Sequence, residues 1–133
     1  MGDAYVEAYG SSLEEAYSNA ALAMFEVMTD TRNVEPRFEQ PVTVEGHDLN
    51  SLLYSWLESL LVKFEVENRL FSRFMVEKIG TEGDLFKLKA RVFGEDLDHK
   101  KHPSKTEVKA VTYHLMEIES SGPVYRLRFL LDL

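Results

Sequence analysis

Cysteine is absent from these 133 residues. That absence removes a disulfide framework, cysteine-based zinc sites and thiol catalysis together. It fits a reducing compartment, and the expected location is cytoplasmic. No apolar run reaches the roughly 18 residues needed to span a bilayer, so no membrane association is expected. The opening Met1-Gly2-Asp3 has no signal-peptide core, and Val6 stands where a myristoylation signal needs Ser or Thr. Cations are scarce: 15 Lys and Arg against 23 Asp and Glu, a net charge of -8. Sequence-independent nucleic-acid binding needs a basic surface, so direct binding to nucleic acid is not expected. An acidic surface suits solubility, metal binding or docking on a basic partner. A nucleophile elbow, a P-loop, a dinucleotide fingerprint and a His-Glu-x-x-His pair are all missing, and with them the common enzyme signatures. No internal repeat or low-complexity segment is evident.

What is present is a chain of ordinary globular composition, 44% hydrophobic and 29% charged, with the length of one domain spanning 1–133. Ala4 to Tyr9 reads as a strand closed by Gly10. Ser12-Leu13-Glu14-Glu15 fits a capping box in which Glu15 reaches back to the Ser12 amide. Leu13, Ala16, Tyr17, Ala20, Ala21, Met24, Phe25 and Met28 then recur at helical spacing. Pro36 and Pro41 demote the next stretch to loop or edge structure, with a short strand at Val42–Glu45. Asp48 is the expected N-cap of a second helix whose apolar face runs from Leu49 through Trp56 to Phe64. From Phe71 the period becomes two. Strands are expected over Phe74–Ile79, Phe86–Val92, Thr106–Ile118 and Tyr125–Asp132. The class is α+β in two layers: a mostly antiparallel sheet with two helices packed on one face.

Several groups have chemical potential. His99-Lys100-Lys101-His102 reads as a metal pair or as a solvated basic loop able to meet phosphate. Glu107, Lys109, Val111 and Tyr113 would share one strand face, with Thr106, Val108, Ala110, Thr112 and His114 on the other. Glu107 and Lys109 form either a surface pair or an orienting pair. His114 is either a general base without an identifiable nucleophile or a satisfied structural histidine. Asp3 precedes the first strand and Asp132-Leu133 end the last. If those strands are neighbours, their oxygens, the Leu133 carboxylate included, suit a hard cation such as Ca²⁺ or Mg²⁺.

Blocks along nearly the whole chain carry a family resemblance. They are Ala8-Tyr9-Gly10, Ser12-Leu13-Glu14-Glu15-Ala16 running on to Met28-Thr29-Asp30, and Val44-Glu45-Gly46 followed by Asp48-Leu49 and Leu52-Leu53-Tyr54. Lys101-His102, Thr106 to Ala110, Thr112-Tyr113-His114 and Asp132-Leu133 complete the set. In order and spacing they resemble the archease family. The resemblance implies a small α+β protein that is not an enzyme but an activator of the RtcB-type RNA ligase of tRNA splicing, promoting ligase guanylylation and multiple turnover. It implies a divalent metal, calcium first and magnesium or manganese next, on Asp3, Asp132 and Leu133. His102, Glu107, Lys109, Thr112 and His114 then become groups that support that site or dock the partner. Ahead of Asp3 the chain departs from the family pattern: Met1-Gly2 stand in place of a His-Thr pair, and metal affinity hinges on that difference. Two other readings remain open, a metal-dependent phosphoester hydrolase and a general chaperone or modulator of protein partners.

Overall fold

The structure, a computed structural model, describes residues 2–133. Two caps start its helices. The Ser12 hydroxyl accepts the Glu15 amide at 3.0 Å and opens α1, Leu13–Met28. The Glu15 carboxylate turns to the Ser11 amide, also at 3.0 Å, so the reciprocal bond falls one residue earlier than the capping-box pattern predicts. Asp48 closes a full box: its carboxylate accepts the Ser51 amide at 2.7 Å, and the Ser51 hydroxyl accepts the Asp48 amide at 3.1 Å. That opens α2, Leu49–Glu67, which ends on Asn68 in the left-handed region at φ 55°. Asp48→Ala is expected to cost about 1 kcal/mol, read as a lowered thermal midpoint with an unchanged far-UV spectrum.

Among the described residues six strands accompany the helices: β1 Asp3–Gly10, β2 Phe38–Gly46, β3 Arg69–Glu82, β4 Leu85–Asp96, β5 Ala110–Ser121 and β6 Val124–Asp132. The class is α+β and all pairing is antiparallel, as expected. The strands divide between two three-stranded sheets, β1-β6-β5 and β2-β4-β3. Each sheet joins a hairpin to a strand that leads into a helix. Helix α1 packs against β1 and β3, and α2 against β2 and β5, so both helices bridge the sheets. Pro41 lies inside β2, which is longer than expected and is an edge strand, where a missing N–H is tolerated.

The core sits between helices and sheets. Trp56 is fully buried, and its indole N–H donates to the Tyr17 carbonyl at 2.9 Å. The Tyr17 hydroxyl donates to the Leu49 carbonyl at 2.6 Å, so two side chains tie α1 to α2. Phe25, Phe71 and Phe74 pack ring against ring where α1 meets β3.

The stretch before β5 departs from expectation. Residues 105–109 belong to no strand, which begins at Ala110. The main chain crosses from one sheet to the other over the C-terminal end of α1. There the Lys105 amide donates to the Met28 carbonyl at 3.0 Å and the Thr106 amide to the Val27 carbonyl at 3.2 Å. Helix ends leave such carbonyls without partners inside the helix, and this strap supplies them. The alternation of residue types around Val108 imitated a strand, but the hydrogen bonds go to a helix terminus. No helix among the described residues is long and apolar enough to cross a membrane.

Candidate functional site

Strands β1 and β6 pair in a register that sets Asp3 directly opposite Asp132. The alternation of both strands turns Ala4, Val6, Leu127, Phe129 and Leu131 toward the core, and leaves Asp3 and Asp132 exposed. Directly opposed residues share a face with Cβ atoms about 5 Å apart. Two features brace the pair. The Leu133 amide donates to the Gly2 carbonyl at 3.0 Å, and the Lys109 amide donates to the Asp132 carbonyl at 2.7 Å. Ala110 pairs with Asp132 from the third strand of the sheet. The ion pairs of this face, Arg128 with Glu7 and Arg126 with Glu119, lie further along the strands, and none among the described residues engages Asp3 or Asp132.

Opposed carboxylates repel, and no lysine or arginine among the described residues forms an ion pair with either to offset the repulsion. An all-oxygen pair suits a hard cation. Among the described residues no group of three His, Cys, Asp or Glu gathers at one point. The described residues thus offer two opposed carboxylates and no third acidic or histidine side chain beside them.

The remaining candidates do not converge on this pair. His102 is fully buried rather than solvated. Its Nδ1 accepts the Asp98 amide at 2.9 Å, so the proton sits on Nε2, which lies 2.9 Å from Glu95. Glu95 also accepts the Glu35 amide at 2.8 Å, Arg37 Nε at 3.1 Å and Lys101 Nζ at 3.0 Å. Burial pushes the Glu95 carboxyl up. The Glu35 amide, Lys101 and His102 outweigh that and hold it down at about 2. Sequence reasoning missed this hub, because an acid at the end of a regular strand carries no sign of burial.

Glu107 is exposed and lines a cleft with Met28, Phe64 and Ser104; no ion pair among the described residues joins it to Lys109. Lys109 serves the pair of aspartates through its main chain. Thr112 is half-buried opposite Leu130, and its hydroxyl accepts the His114 amide at 2.9 Å. His114 itself is exposed, which corrects the expectation of a satisfied structural histidine.

Comparison with known proteins places this geometry among relatives. The model of the Archease protein family matches residues 1–133. An archease of Sulfurisphaera tokodaii is 47% identical over 131 residues, covering 98% of this chain and 92% of that protein. The solution structure of a Methanobacterium thermoautotrophicum protein superposes with a TM-score of 0.84 at 41% identity, covering 100% of this chain and 94% of that one. The crystal structure of a Thermotoga maritima archease, described there as a possible chaperone, superposes with a TM-score of 0.60 at 20% identity, over 98% and 90% of the two chains, and speaks for the fold alone.

Proposed function

We propose, from the premise that this chain belongs to the archease family, that it is a non-enzymatic activator of an RtcB-type RNA ligase in tRNA splicing in the cytoplasm, with Asp3, Asp132 and Leu133 as its ligands for a divalent cation. The observation that carries this reading is the pair Asp3 and Asp132, directly opposed on an exposed sheet end and joined to no cation among the described residues. A fold that only needed stability would set a cation against one of them.

The protein's contribution is placement. Strand pairing on both sides of β6 fixes the Asp132 main chain, and the Lys109 amide removes its remaining play. Both carboxylates then face outward from a rigid element, an arrangement suited to presentation toward another protein. A divalent cation at this point, calcium first by the oxygen-only donor set, supplies positive charge next to the partner's anionic groups. The incomplete donor set supports a site finished by the partner or by water. The hydroxyl–carboxylate pairs among the described residues, Ser11 with Glu15 and Thr31 with Glu26, sit at the two ends of α1 and away from Asp3 and Asp132, which favours an activator over a hydrolase.

Asp132→Ala tests the reading. Ca²⁺ is expected to raise the thermal midpoint of the wild-type chain and not that of the variant. Stimulation of ligase guanylylation is expected to fall by about tenfold or more. A variant that folds and stimulates the ligase as well as wild type refutes the metal-centred role.

A further inference from the structure

Strand β5 breaks its register with β6 between Thr112 and Glu117. The residues between them leave the ladder as a bulge. Met116 turns into the core, whereas Tyr113, His114 and Leu115 turn outward. Tyr113 is 53% exposed and Leu115 55%. Leu115 also lies in the left-handed region, at φ 61°. A branched, apolar L-residue is disfavoured there on backbone grounds and in water on hydration grounds. Glycine or asparagine would relieve both.

The bulge is nonetheless held firmly. The Tyr5 hydroxyl donates to the Leu115 carbonyl at 2.9 Å, and the His114 amide donates to the Thr112 hydroxyl. The Tyr113 ring stacks on Tyr54 of α2, with centroids 4.6 Å apart and planes 21° apart. Because β5 is an edge strand, a bulge there has an ordinary use, blunting the edge against aggregation. That use needs the break in the ladder and no particular side chain. This bulge in addition offers an aromatic and an aliphatic side chain to solvent, held in place, and large apolar side chains mark interface centres.

Its position ties it to the pair of aspartates. Thr112, where the bulge departs, lies opposite Leu130, which lies opposite Tyr5. The next outward-facing row on the same sheet is Ala110, Asp132 and Asp3. On the other side Tyr113 lines a cleft with Glu45, His47 and Leu85. The apolar knob is thus bordered by carboxylates on a protein of net charge -8.

We infer that the Tyr113–Leu115 bulge is the surface by which this chain seats on the RNA ligase, Tyr113 and Leu115 entering an apolar recess rimmed by lysine or arginine. This rests on the activator reading above. Seating at the bulge would bring the partner's cationic rim against the same sheet end that carries Asp3 and Asp132.

Leu115→Asn tests it, because asparagine accepts the left-handed backbone while removing the apolar side chain. The variant is expected to melt at or above the wild-type temperature. Its dissociation constant for the purified ligase, measured by calorimetry, is expected to rise about tenfold or more, as for loss of an interface anchor. Tyr113→Ser is expected to act in the same direction. A wild-type chain that binds the ligase while both variants bind equally well overturns this surface and leaves the activator reading standing. A wild-type chain that does not bind the ligase overturns both. Wild-type self-association that Leu115→Asn abolishes assigns the bulge to a second copy and overturns the ligase as occupant.

Discussion

Gly94→Ala is expected to keep this chain from reaching its native fold. Gly94 pairs with Phe71 just where β3 and β4 slip register between Phe71 and Arg73. A Cβ on Gly94 would lie 1.8 Å from the Leu70 carbonyl oxygen and 2.8 Å from the Phe71 Cα. These are main-chain atoms of a paired strand, so no rotamer change relieves the overlap. Movement would have to come from the β3 backbone, whose Leu70 and Phe71 side chains are wholly buried. The Gly94 carbonyl also accepts the Arg37 amide at 2.9 Å, so displacing it loosens the approach to β2. The cost is expected to exceed about 4 kcal/mol, beyond ordinary overpacking. That is a large share of the stability of a domain this size. Expression of the variant in parallel with wild type checks it. Soluble protein with a wild-type melting curve would mean that the main chain at this crossing is far softer than its packing indicates.

The second large effect belongs to Glu95. Glu95→Ala is expected to cost about 3 kcal/mol, lowering the melting temperature by roughly 10 °C. Its partners differ in how they recover. Lys101 is partly exposed and keeps Glu35 at 2.9 Å. Arg37 keeps Glu35 as well, at 3.0 Å. His102 has no such recourse: its side chain is wholly buried and its Nε2–H would be left without an acceptor. The expected loss therefore sits largely on the imidazole and on the Glu35 amide. Increased proteolysis within 98–102 should accompany it. A Glu95→Ala chain that melts within a degree or two of wild type contradicts the hub.

The same carboxylate fixes a pH dependence. Its folded value of about 2 lies below the ordinary 4.5, so the folded state favours the charged form. The stabilisation is complete above about 4.5 and is lost as pH falls from there through about 2. Glu95→Gln should lack this component of acid destabilisation. The gap in melting temperature between the two chains is expected to close as pH is lowered across that window.

Much of this architecture was legible because local rules and tertiary packing agree. The periodicity from Leu13 to Met28 and from Leu49 to Phe64 gave both helices, and Ser12 and Asp48 gave their starts. The alternation of Lys87, Lys89 and Arg91 against Leu88, Ala90 and Val92 marked a strand with one buried face. Three things were not legible, each for a physical reason. The division into two sheets depends on where β4 hands over to β5, and a polar connection has no periodicity to announce a change of sheet. The strap at 105–109 alternates in residue type, yet its Lys105 and Thr106 amides serve helix carbonyls, and side-chain pattern alone does not say where an N–H goes. Glu95 and His102 are titratable residues, a type most often found at the surface, and only their mutual satisfaction permits their burial. At the candidate site, sequence supplied the residue types Asp3 and Asp132. Only the strand register brought them face to face.

The closure of β1 on β6 has a bearing on how the chain is made. Asp3 and Asp132 pair across almost the whole sequence, so β1 leaves the ribosome long before its hydrogen-bonding partner exists. Synthesis proceeds at about 5–20 residues per second, which leaves that strand without its ladder for several seconds at least. Helix α1 can form early, but Ala4, Val6 and Ala8 have no hairpin to complete their sheet until β6 emerges. The nascent chain thus carries β1 without its ladder until β6 has been made. Completion of this sheet is then timed by the arrival of β6, and the acidic Asp3 and Glu7 along that edge discourage the wrong neighbour in the meantime.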